Sequence, residues 1–169
     1  MKHPQALRAG GLALGIAVAA LLVLAFRVPA EGGPLGAGLR LTTVAPGELE
    51  VSPNGTLLNA RRLLPGSDPA EAKLDLRNVT GKDLRVRLRG LPSNRDLDRM
   101  ARIEILAPGG KALVSGPLAR FRDWTAALRL PRAGSAGLTV RAWIPGSVRT
   151  GFEGRDVDVT VEMRAVPQP

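Results

Sequence analysis

Arg85, Arg87 and Arg89 alternate with Leu84, Val86 and Leu88. At a spacing of two they share one face of a strand, where neighbouring like charges repel. Such a face meets acids on an adjacent strand, an anionic partner, or solvent alone. The anionic partners it would suit are lipid headgroups, wall polymers or extracellular nucleic acid. Glu71 and Asp75 are the candidate compensating acids, interrupted by Lys73 and Arg77, and Arg61 and Arg62 add further charge. A solvated face is the simpler reading, because ordinary surfaces are about a quarter to a third charged. The stripe lacks interleaved aromatics for base stacking, which speaks against nucleic-acid readout.

Asp156 and Asp158 also share a strand face, with Glu153 and Glu162 close in sequence. Convergent carboxylates hold hard cations such as calcium, but 6–8 oxygens are needed and a strand face supplies few of them. A solvated face is again the simpler reading, and Asp96 and Asp98 read as loop residues. Ser67, Ser115 and Ser135 have no histidine to activate them, because the only histidine is His3. Cysteine is absent, which excludes disulfides, thiolate metal sites and a cysteine nucleophile. No enzyme, cofactor, metal site or small-molecule substrate is expected. Asn54-Gly55-Thr56 and Asn78-Val79-Thr80 match the glycosylation sequon but read better as turn residues. Trp124 and Trp143 read as core or edge packing.

The elements that position these residues begin after an export signal. Lys2 and Arg8 precede an uncharged run from Ala9 to Phe26, and Arg27-Val28-Pro29-Ala30 follows. A basic start, an apolar stretch and small residues at the scission point describe a secretory signal, with Val28 and Ala30 at the −3 and −1 positions. Cleavage after Ala30 is the expectation. The rival is an uncleaved anchor, since about 20 apolar residues span a bilayer; any membrane contact is then through residues 9–26. Residues 1–30 contain three basic residues and no acid, so their removal lowers the net charge from +9 to +6.

The rest of the chain alternates with period two. Asp156 to Met163 is the cleanest case, and residues 71–77, 84–89, 102–105 and 138–142 repeat it. Residues 39–44, 48–52, 111–115 and 126–130 are weaker candidates. Pro-Gly, Asn-Gly and Gly-Gly punctuators separate these runs. Eight or nine short strands with such turns predict an antiparallel β-sandwich over residues 39–166, behind a flexible leader at 31–38 and an N-terminal hydrophobic helix. Arg95–Met100 and Leu118–Trp124 are each long enough for one helical turn.

The order of small motifs resembles the TasA/camelysin family of exported, cell-surface and biofilm-matrix proteins. The likeness lies in the long Gly/Ala/Leu signal, then Leu63-Leu64-Pro65-Gly66, Leu76-Arg77-Asn78 and Leu113-Val114-Ser115-Gly116-Pro117-Leu118. It continues through Leu128-Arg129-Leu130-Pro131, residues 138–145 and Gly151-Phe152-Glu153-Gly154. The resemblance implies a jelly-roll or immunoglobulin-like sandwich, signal removal by a dedicated peptidase and, in some members, fibre assembly. It carries no protease activity to this chain, which has no His-Glu-x-x-His.

Three expectations follow. The chain is an exported structural protein of the cell surface or matrix, self-assembling by strand addition, with binding of anionic polymers or a membrane surface through Arg85, Arg87 and Arg89 as the alternative. Strands 71–77 and 84–89, if they form a hairpin, place Asp75 opposite Arg87 and Arg77 opposite Arg85. Residues 39–44, tethered by the Gly-rich leader, are a candidate edge strand for donation between copies; the simpler expectation is pairing within the same domain, because native edges are usually protected. On the donation reading, loss of residues 31–45 leaves the domain folded.

Overall fold

The computed structural model describes residues 35–168. Residues 1–30, with Val28 and Ala30, lie outside the described residues, as does residue 169 and the leader up to residue 34. Ten strands form two five-stranded sheets. They are β1 (Ala37–Val44), β2 (Leu49–Ser52), β3 (Gly55–Leu63), β4 (Ala70–Asn78) and β5 (Leu84–Pro92), then β6 (Arg102–Leu106), β7 (Ala112–Pro117), β8 (Leu128–Leu130), β9 (Ser135–Trp143) and β10 (Asp156–Pro167). The first sheet has the order β3-β1-β10-β5-β8 and the second β2-β4-β9-β6-β7. Every pairing is antiparallel except that of β1 with β10.

The period-two pattern decides which side chains face inward. Val157, Val159, Val161 and Met163 of β10 and Leu84, Val86 and Leu88 of β5 are buried from one sheet. Leu74 and Leu76 of β4, Leu138 and Val140 of β9, and Ile103 and Ile105 of β6 are buried from the other. All belong to one continuous apolar cluster, as expected of an all-β sandwich.

Three expectations need correction. Residues 71–77 and 84–89 do not form a hairpin: β4 lies in the second sheet and β5 in the first. Asp75 faces Ser52 and Gly137, and Arg87 faces Arg164. Both apolar sets point into the same core from opposite sides, which satisfies the same burial pattern without pairing. Residues 39–44 are not an edge, because β1 has β3 on one side and β10 on the other. Ala37, Leu39, Leu41 and Thr43 are almost wholly buried, so removal of residues 31–45 opens the core. Finally, β1 begins at Ala37 and β10 ends at Pro167, so Ala37 and Gly38 belong to a strand and not to the leader, and the last strand runs one residue past 166.

β3 is the one strand without a sequence signature, for a physical reason. Its register against β1 shifts twice, and each extra residue inverts the alternation. Leu57 and Leu58 are therefore both buried. The bulges, with exposed Arg61 and Arg62, also protect this edge. The other edges are short or covered: β8 has 3 residues and β2 has 4. On β7, Leu113 O accepts from Ala126 N at 3.2 Å and Ser115 O from Arg120 Nη1 at 3.4 Å.

Phe121, in a 3-10 turn over Leu118–Arg122, is among the largest fully buried side chains. Its ring occupies the space left by Gly90 of β5. A Cβ at Gly90 would sit 2.5 Å from Phe121 Cδ1 and 2.8 Å from Val159 Cγ1. Gly90→Ala is expected to cost about 1–3 kcal/mol through overpacking. In urea titrations, combining it with Phe121→Leu should cost less than the sum of the two single changes. Strict additivity would show that the Gly90–Phe121 contact does not limit packing there.

Candidate anion-contact face and strand slot

The outward residues of β5 are Arg85, Arg87, Arg89 and Leu91, and those of β10 include Glu162, Arg164 and Val166. Register sets Arg89 opposite Glu162, Arg87 opposite Arg164 and Arg85 opposite Val166. Arg89 Nε donates to Glu162 Oε2 at 2.7 Å, and its guanidinium lies 4.6 Å from the centroid of the Trp124 ring. Arg89 is therefore neutralised and stacked, and it drops out of the expected anion-contact set. The compensation comes from Glu162. Glu71 instead pairs with Arg141 at 2.8 Å, and both Glu71 and Asp75 lie in the other sheet.

Arg164 takes the place of Arg89. Its position follows from unequal strand lengths: the ladder of β1 ends at Val44 opposite Glu162, while β10 continues to Pro167. The chain turns away at residues 45–48, where Leu49 N donates to Pro46 O at 3.1 Å. Arg164 and Val166 are left exposed on that side. Among the described residues, no carboxylate pairs with Arg85, Arg87 or Arg164. The three line a cleft of about 190 Å³ with Val166 and Gln168. Facing like charges cost roughly 0.2–1 kcal/mol, so an anion placed there relieves a repulsion built into the register.

The fourth arginine of this region is occupied. Arg129 of β8 faces Arg85, but its Nη2 donates to Asp83 Oδ2 at 2.7 Å. Asp83 Oδ1 accepts from Arg132 N at 3.0 Å. The hydrogen bond from Arg129, then that from the Arg132 N–H, hold the Asp83 carboxyl below its ordinary pKa. A lowered folded-state pKa stabilises above the ordinary carboxylate range and is lost as pH falls through the lowered value. Acidification thus frees Arg129 and makes this end more basic.

The other candidate residues go to separate, local partners. Asp158 pairs with Arg40 at 3.4 Å and Asp156 faces Gly38. Glu153 Oε2 accepts from Gly151 N at 2.7 Å. Asp96 pairs with Arg155 at 3.4 Å and Asp98 with Arg122 at 2.5 Å. Among the described residues no three of these converge to hold a metal ion. Ser67 Oγ donates to Leu64 O within its turn, and Ser115 Oγ lies 3.4 Å from Glu104 Oε1. Ser135 faces Arg77, Trp143 is half-buried opposite Arg102, and Asn54 is exposed in the turn between β2 and β3. Arg61 and Arg62 lie on β3, separated from β5 by β1 and β10.

Asn78 has a structural role. It is 1% exposed, and its Nδ2 lies within 2.7–3.2 Å of the carbonyls of Lys82, Leu130 and Pro131. Its Oδ1 accepts from Thr80 N and Thr80 Oγ1, both at 2.8 Å. The side chain pins the crossover from β4 to β5 onto the end of β8, which a sequon-bearing surface asparagine could not do.

No family model matches the chain, and no curated protein matches it. Asn78→Ala is expected to lower unfolding free energy by about 2–3 kcal/mol, because several buried carbonyls lose their donor. Guanidinium titration reads this directly. A change below about 0.5 kcal/mol, the range of an ordinary surface substitution, would contradict the pinning role.

Proposed function

We propose that the chain is an exported, non-enzymatic structural protein of the cell surface or extracellular matrix, of the TasA/camelysin kind, that self-assembles by strand addition. The observation that carries this reading is the place of β1. Without β1, strands β3 to β10 follow a jelly-roll order: β3, β10, β5, β8 in one sheet and β4, β9, β6, β7 in the other. β2 is an added edge beside β4. β1 is then an extra strand wedged between the first and last strands of an eight-stranded frame, antiparallel to β3 and parallel to β10.

A slot of this kind favours exchange between copies. A single missing strand separates β3 and β10 by roughly 9–10 Å, two strand spacings. It leaves two rows of main-chain N–H and C=O groups unpaired and uncovers the core beneath Leu39 and Leu41. A second copy's β1 satisfies all of these at once, as donated strands do in pili. The connection to β2 at residues 45–48 is the hinge, and short hinges favour swapping over refolding in place. The blunted outer edges leave this slot as the route for strand addition. Export rests on the hydrophobic segment at 9–26 and on Val28 and Ala30, with β1 beginning shortly after the expected scission at Ala30.

The outward pair Thr42 and Thr160 face each other across β1 and β10, and the chain has no cysteine. Chains carrying Thr42→Cys and chains carrying Thr160→Cys, mixed, concentrated and oxidised, are expected to give 42–160 cross-linked species whose yield rises with concentration. Peptide mapping identifies the linkage. Cross-linking only within a doubly substituted chain, never between the two singly substituted ones, would overturn strand addition.

A further inference from the structure

We infer that the cleft between β5 and the free end of β10 binds the phosphate groups of a phosphate-ester polymer. This goes beyond the assembly reading and does not depend on it, since the cleft residues face outward and none belongs to β1, β3 or the hinge.

Arg85, Arg87 and Arg164 bring three permanent positive charges to one opening of about 190 Å³. The nearby carboxylates are committed elsewhere: Glu162 to Arg89, and Asp83 to Arg129 and the Arg132 N–H. The cleft therefore selects an anion from outside. Its shape and chemistry select the class. A guanidinium is a planar fork that grips two oxygens at once. Three forks lining one opening suit an acceptor whose lone pairs spread out of a single plane, as on the two non-bridging oxygens of a tetrahedral phosphodiester. A carboxylate presents its lone pairs in one plane and can be gripped through both oxygens by only one of the three forks. Val166, 40% exposed, is an apolar wall suited to the carbon side of an ester. Gln168 adds an amide whose Nε2 donates only weakly, to Pro167 O at 3.4 Å and Val166 O at 3.5 Å.

The setting favours a polymer. Lys82 and Arg132 flank Asp83 and are exposed at the same end of the domain, so cations continue past the cleft for successive repeats. The cleft also lies beyond Val44, at the end of the sheet remote from Ala37. The eight residues of β1 span roughly 26 Å.

The experiment is calorimetric titration of the secreted chain with poly(glycerol phosphate), with polygalacturonate as the carboxylate control and phosphatidylglycerol vesicles as the lipid arm. Poly(glycerol phosphate) is expected to bind most tightly, with glycerol 2-phosphate competing and affinity falling steeply with salt. Arg87→Gln and Arg164→Gln should each weaken binding roughly tenfold or more. Arg62→Gln, on the far edge of the same sheet, should leave it unchanged. Melting curves matching those of the parent chain establish that the variants fold. Equal binding by the arginine variants, equal binding of polygalacturonate, or binding confined to vesicles would each overturn the inference. The 42–160 cross-link reports separately on assembly, so failure of one does not imply failure of the other.

Discussion

A twelve-residue strand in the middle of a sheet must satisfy main-chain groups on both sides, and β10 does so with unlike partners. On one side β5 runs antiparallel to it from Val159 to Pro167. On the other, β1 runs parallel to it from Asp156 to Glu162. The strand that precedes all others thus sits beside the strand that ends the fold. No short connection joins them, so their pairing is held by the ladder and by the burial of Ala37, Leu39, Leu41 and Thr43. Take this strand away and β3 and β10 have no partner between them. The integrity of the first sheet rests on that one insertion.

The same pairing shapes the outer surface. Gly38 is required because Asp156 lies directly opposite: a Cβ there would sit on its carboxylate oxygen. Farther along, the shorter β1 stops and β10 does not, which uncovers Arg164 and Val166. Charge on this face is consequently graded. Asp156 and Asp158 lie near the start of β10 among Arg40 and Arg61, whereas Arg85, Arg87 and Arg164 gather at its end without an acid. Arg89 sits between the two regimes, bound to Glu162 and stacked on Trp124.

Nine of the ten strands were legible, the clearest because their burial alternates, as in Val157-Asp158-Val159-Thr160-Val161, and the shorter β7 and β8 because turn residues bound them. β3 was not, because two bulges break the alternation that carries the signal. Pairing was less legible than strand content. The even-numbered leucines of β4 and β5 fit a hairpin and fit opposite walls of a sandwich equally well, and only the crossover pinned by Asn78 separates the two. The candidate face inherited that ambiguity. Arg85 and Arg87 could be read from spacing, and Arg164 extends a visible alternation. Nothing in the sequence places β10 beside β5, so neither the loss of Arg89 to Glu162 nor the gain of Arg164 could be anticipated.

If β1 is a separable strand, it must open more easily than the rest of the domain. Amide hydrogen exchange of the full chain under native conditions tests this most directly. The account predicts that the amides of Leu39, Leu41 and Thr43, with those of β3 facing them, exchange as one unit through an opening of lower free energy. The ladder between Leu74 of β4 and Leu138 of β9 should exchange only on global unfolding. Exchange of β1 at the same rate and with the same denaturant dependence as that ladder would contradict it, and would make β1 an inseparable part of a single cooperative core.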